Sequence, residues 1–261
     1  MRDILDLDRY PLDRPDSPEW RTLVDRCRAD LAADGMFNLE GLMLVDVAAR
    51  AVTAIGDRFD TDAFLHERSH NIYFADVPGL ADDHPALARF QTSNRTLCAD
   101  QITGSPLLRL YEWPEFAIFL AATMDMPELF VMNDPLAKVN AMAYRAGQAL
   151  NWHFDRSEFT TTLLLQAPES GGEFEYRTDL RSDDNPNYDA VARLVQGKDP
   201  DTQQIALTPG TLNVFRGKNT PHRVTPVAGD KDRVIAVFCY YQNPGVQFSP
   251  EERVGFYGRA S

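Results

Sequence analysis

Asn151-Trp152-His153-Phe154-Asp155 sets an imidazole and a carboxylate two positions apart. On an extended strand such residues lie on the same side, so His153 and Asp155 can converge on one metal ion. With five histidines among 261 residues and 39 acidic side chains, one such pair is close to what chance supplies, and the pair alone carries little. Its surroundings add to it. Tyr144-Arg145-Ala146-Gly147 puts a turn glycine before the pair, and Glu169-Ser170-Gly171-Gly172-Glu173-Phe174 reads as a hairpin entry after it. Pro209-Gly210 turns into the run Thr211 to Phe215, Gly217 breaks that run, and His222 follows five residues on. Antiparallel strands could carry His222 back to the pair as a third ligand. Two imidazoles and one carboxylate on one face leave three positions of an iron ion open for other molecules.

Arg233, eleven residues beyond His222, opens the apolar run that ends at Tyr241. An arginine heading such a strand needs an anionic partner, and its planar fork grips a carboxylate through two parallel hydrogen bonds. A bound organic acid is one such partner. A surface ion pair with Asp230 or Asp232 is the other reading.

Short apolar or alternating runs must position these residues: Lys138 to Tyr144, Phe159 to Gln166, Glu173 to Tyr176, Gln204 to Leu207, Thr211 to Phe215 and Val234 to Tyr241. Gly, Pro and Asn/Asp clusters separate them, which predicts many short strands in a jelly roll or barrel. Upstream, the texture is helical. Ser17-Pro18-Glu19-Trp20 starts a helix that Gly35 ends, Met36 to Leu44 begins a sheet edge, and Val45 to Phe59 returns to helical spacing. Further helices are expected over Pro85 to Ile102 and Glu115 to Met124. The polar stretch Arg177 to Gln203, with a short helix near Tyr188 to Gln196, reads equally as a lid or as a solvated excursion.

The net charge of −13 repels phosphate backbones and anionic lipid, which argues against nucleic-acid and membrane-surface partners and favours a small molecule. The amino terminus lacks the basic-then-apolar pattern of a secretory signal, and Val234 to Tyr241 is too short to span a bilayer. Three cysteines, Cys27, Cys98 and Cys239, without metal-type spacing suit a reducing compartment. A cytoplasmic protein is expected.

The order His-x-Asp, a second histidine 69 residues on and an arginine 11 beyond it resembles the Fe(II)/2-oxoglutarate-dependent oxygenases over roughly Leu136 to Tyr241. Asp134-Pro135-Leu136, Tyr144 to Gly147, Trp152 to Asp155, Leu163 to Gln166, Gly171 to Tyr176, and Phe215-Arg216-Gly217 through His222 to Val227 narrow the likeness. They are similar to the bacterial group of BesD-type halogenases and hydroxylases of free amino acids. The resemblance implies an α+β fold, a double-stranded β-helix (jelly roll, cupin-like) with amino-terminal helices packed on it. The expected layout is one domain, 1–261: a mainly helical 1–135, a jelly-roll core 136–245 with 177–203 as lid, and a tail 246–261. It also implies Fe(II) on His153, Asp155 and His222, Arg233 on the far carboxylate of 2-oxoglutarate, and dioxygen as second co-substrate. Halogenating members carry a small residue at the position of Asp155, where chloride then binds iron. Retention of Asp155 implies hydroxylation with release of succinate and CO2, and leaves desaturation or cyclisation open.

Tyr144 and Thr162 are further candidates for holding 2-oxoglutarate, with a packed core tyrosine and an ordinary strand threonine as the alternatives. Thr160 and Thr161 share the candidacy less strongly, and Trp152 is expected to pack on the far side of its strand. An amino-acid substrate needs charged partners, for which Arg68 or His70, Asp134 and Arg216 are candidates beside ordinary surface or ion-pair roles. His84 reads as a turn or helix-start residue. A homodimer is left open. A non-catalytic cupin-like binder would need neither the triad nor Arg233, and a zinc hydrolase would leave Arg233 unexplained.

Overall fold

The computed structural model describes residues 1–261. The Ser17 hydroxyl accepts the Trp20 backbone N–H and starts α1 (Pro18–Asp34), and Gly35 ends it at φ 73°, in the left-handed region that glycine enters without strain. The other helices are α2 (Val45–Ile55), α3 (Arg58–Thr61), α4 (Pro106–Tyr111), α5 (Pro114–Thr123), α6 (Tyr188–Val195) and α7 (Pro250–Tyr257). None is long and apolar enough to cross a membrane.

The strands run β1 (Met36–Leu39), β2 (Phe64–His70), β3 (Phe90–Leu97), β4 (Phe130–Val131), β5 (Val139–Tyr144), β6 (Leu150–His153), β7 (Thr160–Gln166) and β8 (Ser170–Gly171). They continue with β9 (Phe174–Tyr176), β10 (Gln203–Ile205), β11 (Leu212–Phe215), β12 (His222–Val224), β13 (Val227–Ala228), β14 (Arg233–Phe238) and β15 (Tyr240–Tyr241). Seven form an antiparallel sheet in the order β1-β11-β7-β14-β5-β3-β2, and four form a second in the order β10-β9-β12-β6. This is the expected α+β jelly roll.

Strand alternation gives the large sheet two different faces. On the outer face Phe37, Val139, Ala141, Leu163, Leu165, Val214 and Ala236 join Leu23 and Cys27 of α1, Val47 of α2 and Phe116, Phe119 and Leu120 of α5 in one cluster of 38 buried residues. Each fully buried side chain of this size stabilises by about 1.5–3 kcal/mol relative to exposure. The inner face, turned to the small sheet, buries Asn94, Thr96, Asn140, Tyr144, Thr162, Asn213 and Arg233.

Pro85 to Ile102 is not a helix. It holds two short 3-10 turns, Pro85–Leu87 and Ala99–Ile102, and between them β3, which pairs with β2 along its length and with β5 through Arg95, Thr96 and Leu97. Its alternate residues Thr92, Asn94 and Thr96 are buried, so a polar set faces inward and the apolar alternation that marks a strand is absent. The first 135 residues therefore contribute β1, β2, β3 and β4 as well as helices.

Helix α6 lies within 177–203 and buries Ala190, Val191 and Leu194 against Trp152, Phe154, Ile72 and Ala86. In 246–261, Ser249 and Glu252 form a reciprocal cap that starts α7, whose buried Tyr257 hydroxyl donates to Asn140 Oδ1 at 3.0 Å. His84 caps the first 3-10 turn by accepting the Ala86 N–H.

Candidate metal centre

Gly147, at φ 81°, makes the turn between β5 and β6, and β6 ends on His153. β12 begins on His222, and its register sets His222 directly opposite His153, with ring centroids 4.1 Å apart. Each ring is oriented by the carbonyl two residues before it. His153 Nδ1–H donates to Asn151 O at 2.8 Å and His222 Nδ1–H to Thr220 O at 3.0 Å, because a carbonyl can only accept. Both Nε2 atoms therefore keep a lone pair for a ligand.

Those lone pairs meet Asp155. Its Oδ1 is 3.4 Å from His153 Nε2 and its Oδ2 is 3.5 Å from His222 Nε2. Two ligands at about 2.1 Å from a metal and at right angles are about 3 Å apart, so small movements would seat an ion. One ligand atom from each residue lies within 4.8 Å of the others, and the donor set of two neutral imidazoles and one carboxylate fits Fe(II).

Asp155 is fixed from several sides. Its backbone N–H donates to Gly217 O at 3.0 Å, Thr160 Oγ1 donates to Oδ2 at 2.5 Å, and a side chain at Gly217 would occupy the space of the carboxylate. Burial by itself would raise the Asp155 carboxyl, but His222, His153 and the Thr160 hydrogen bond outweigh it and hold the carboxyl well below its usual range. Burial, with His153 beside it, pushes His222 down to about 4 against the pull of Asp155. Both groups are thus in their metal-binding protonation states at neutral pH. Phe215 and Phe174 pack on the His222 ring at 4.6 and 5.5 Å between centroids, and Phe74 stands edge-on to His153 at 5.6 Å.

Arg233 is buried on the inner face, cross-strand from Tyr144. Its Nε donates to Gly172 O at 3.1 Å, its Nη1 is buried without a partner, and no carboxylate pairs with it. Asp232 is taken instead by Arg145 at 3.3 Å. An isolated buried guanidinium is costly, and a bound dicarboxylate would supply the missing acceptor. Tyr144 lies under Arg233, 5.7 Å from ring centroid to guanidinium carbon, with its phenol pushed up to about 12 by burial. Thr162 shares the inner face but reaches only Asn213 O, at 3.5 Å.

The substrate candidates separate. Arg68 is exposed, free of carboxylate partners, and stacked 4.9 Å over Phe74, the ring that abuts His153. His70 is buried near the site, yet both its nitrogens are engaged, by Asn71 O at 2.8 Å and Thr92 Oγ1 at 2.7 Å. Asp134 does not hold an amine. Its oxygens accept the N–H groups of Leu136, Ala137 and Phe248 and the Nε of Arg253, which ties the approach to β5 to the carboxy-terminal helix. Burial would raise its carboxyl, and these bonds hold it below the ordinary value instead. Arg216 lines an open cleft beside Gly217. Trp152 packs away from the metal, under the Arg223 guanidinium at 4.8 Å.

The residue types and spacing gave no notice of Phe74 or Arg181, and Gly217 reads there only as the break after a strand. Phe74 has a positive φ of 54°, and Arg181 stacks 3.6 Å from the Phe154 ring centroid. Thr160, expected as a lesser candidate for holding 2-oxoglutarate, gives its hydroxyl to Asp155 instead.

A family model described as Halogenase D matches residues 92–249. Among solved structures, the fold is similar to AviO1 from Streptomyces viridochromogenes Tue57, with 18% identity, 85% of this chain and 96% of that one covered, and a TM-score of 0.55. It is also similar to an oxidoreductase of the 2OG-Fe(II) oxygenase family from Burkholderia pseudomallei, with 17% identity, 85% and 92% coverage and a TM-score of 0.52. HygX from Streptomyces hygroscopicus, solved with nickel and 2-oxoglutarate bound, shares 13% identity over 82% of this chain and 85% of its own, at a TM-score of 0.51. At these identities the likeness establishes the fold. No curated protein matches the chain. With the family model spanning more than half of its length, the chain belongs to the Halogenase D family and is an Fe(II)- and 2-oxoglutarate-dependent oxygenase.

Proposed function

We propose that the enzyme hydroxylates an unactivated C–H bond of a free amino acid or a similarly small polar molecule. Dioxygen supplies one atom to the product hydroxyl and the other to succinate, and 2-oxoglutarate leaves as succinate and CO2. His153, Asp155 and His222 hold the iron, and Arg233 holds the far carboxylate of 2-oxoglutarate, with Tyr144 and Thr162 lining that end. When bound, the iron supplies dioxygen activation, and the co-substrate supplies the electrons that the C–H bond does not.

The remaining work belongs to side chains. The carbonyls of Asn151 and Thr220 aim the two Nε2 atoms, and Thr160 fixes one Asp155 oxygen so that the other faces the ion. Arg68, free of a carboxylate partner above Phe74, is suited to an anionic group of the substrate. The closed cluster of α6 with Trp152 and Phe154 keeps water from the outer side of the metal strand, which fits a covering role for 177–203. The 261 residues act as one domain in this reading, and three free cysteines fit a cytoplasmic setting.

The observation that carries hydroxylation over halogenation is the anchored Asp155. Held by Gly217 and Thr160, it occupies the position that a small residue would leave open for chloride. Incubation with Fe(II), 2-oxoglutarate, chloride and a panel of amino acids should yield succinate and a product heavier by one oxygen atom. A chlorinated product would overturn the hydroxylase reading. Absence of succinate with every substrate, together with unchanged Fe(II) binding in His153→Ala, would overturn the assignment of the centre.

A further inference from the structure

Gly217, whose carbonyl and missing side chain accommodate Asp155, is flanked by Arg216 and Lys218. These two, with Glu158, Asp179, Arg181 and Asn219, line a cleft of about 450 Å³. That is within the range of small-molecule sites, about 300–1,000 Å³. The cleft and the metal centre share a wall, because the Arg181 guanidinium also lies on Phe154, the residue between His153 and Asp155.

Arg216 is poorly satisfied. The carboxylate it reaches, Asp179, is 3.9 Å away and accepts no hydrogen bond from it, and Arg216 Nε is buried without a partner. By contrast, Arg223 is matched by Glu175 at 2.6 Å and Arg177 by Asp201 at 3.0 Å. Arg181 is preset beside it. Its Nε and Nη2 both donate to Lys218 O, at 3.0 and 2.7 Å, which leaves Nη1 for another acceptor. Lys218 is neutralised by Asp183 at 2.6 Å. A buried donor with no acceptor is destabilising, and an anion held by the Arg216 guanidinium would supply acceptors that Asp179 does not.

We propose that this cleft is an outer subsite for an anionic group, a carboxylate or a phosphate, carried by the substrate at the end remote from the oxidised carbon. Arg216 and Arg181 are its donors, and the hydrogen bond from Asp155 N–H to the carbonyl of Gly217, next to Arg216, sets how far that group lies from the oxidised position. The proposal rests on the oxygenase reading of the metal centre. It adds to that reading a substrate longer than its reacting end, gripped on the side of Asp155 away from Arg233.

The test uses full-length enzyme loaded with Fe(II) without oxygen and saturated with 2-oxoglutarate, so that the Arg233 site is filled. Inorganic phosphate, acetate and neutral acetamide are titrated into wild type, Arg216→Gln and Arg216→Lys, with binding followed by backbone amide shifts. At least one anion should bind wild type, weaken about tenfold or more in Arg216→Gln and recover partly in Arg216→Lys, as expected for a charged hydrogen bond. Acetamide should show no such dependence. Tighter phosphate than acetate identifies a phosphate ester as the substrate class, and the reverse identifies a carboxylate. No anion binding to wild type, or equal binding to wild type and Arg216→Gln, overturns the subsite. Affinity for 2-oxoglutarate, measured in the same samples, should stay within about twofold in both variants, since Arg216 does not touch that site. Its absence in wild type would instead remove the oxygenase reading beneath.

Discussion

The two faces of the seven-stranded sheet are made by the same strands and differ in what their side chains lack. On the outer face, Leu163, Val214 and Ala236 meet α1, α2 and α5 in one apolar cluster. On the inner face, Arg233 keeps a buried nitrogen with no partner, Tyr144 offers its hydroxyl only the Met142 sulfur at 3.9 Å, and Thr162 makes one long contact. One face is filled by apolar side chains of the protein itself, and the other carries polar groups that a bound ligand would complete. Stability and function should therefore divide between alternate residues of single strands, a division that substitutions can break.

The sharpest test sets Leu163→Ala against Arg233→Met. Leu163 is fully buried, and removing three carbons there should cost about 2–5 kcal/mol of unfolding free energy, measured by denaturant titration. Once the variant is folded, its affinity for 2-oxoglutarate should be close to wild type. Arg233→Met should do the reverse. It removes an uncompensated buried charge, so stability without ligand should hold or rise, while 2-oxoglutarate affinity falls by at least about 30-fold, or ~2 kcal/mol. Equal losses of stability in both variants would show that the inner face is structural after all.

This division also explains what could be read from the chain. His153, Asp155 and His222 were legible because strand period puts the first two on one side and their order with Arg233 resembles that of the Fe(II)/2-oxoglutarate-dependent oxygenases. The outer face was legible in α1, where the caps and apolar spacing agree with the packing, and α5 nearly coincides with the helix expected over Glu115 to Met124. β3 was misread for the same physical reason that it matters. Its buried side is Thr92, Asn94 and Thr96, and a polar face turned inward inverts the pattern by which strands are recognised. Asp134 was misassigned because its partners Phe248 and Arg253 lie 114 and 119 residues away, beyond any local signal. His70 stands out in the sequence for its charge, and its Nε2 contact with Thr92 Oγ1 forms only when β2 and β3 pair.

Protons offer a smaller lever on the same contrast. Burial holds His222 at about 4 in the folded chain, against an ordinary value near 6.5. The unfolded chain therefore takes up the proton first. The metal-free protein should be most stable above pH 6.5 and lose stability as pH falls from there toward 4. Asp155, with its depressed carboxyl, withdraws its own contribution only at still lower pH. Thermal midpoints of chelator-treated protein from pH 8 to 5 should fall more steeply in wild type than in His222→Gln. Parallel slopes would show that the inner face does not hold His222 neutral.

The smallest expected effect is the most specific to the centre. Thr160 begins β7 on the inner side and gives its hydroxyl to the Asp155 oxygen that faces His222. Thr160→Val keeps the shape and the branched strand preference but removes the donor, so unfolding free energy should change by no more than about 1 kcal/mol. Without that hydrogen bond the carboxylate can rotate away from His222, and a ligand that rotates binds its metal less tightly. Fe(II) affinity should fall about tenfold, in the range seen for groups that orient metal ligands. Thr160→Ser retains the hydroxyl and should recover most of it. If Thr160→Val and Thr160→Ser bind Fe(II) alike, the orientation of Asp155 comes from Gly217 alone, through its carbonyl and the space it leaves.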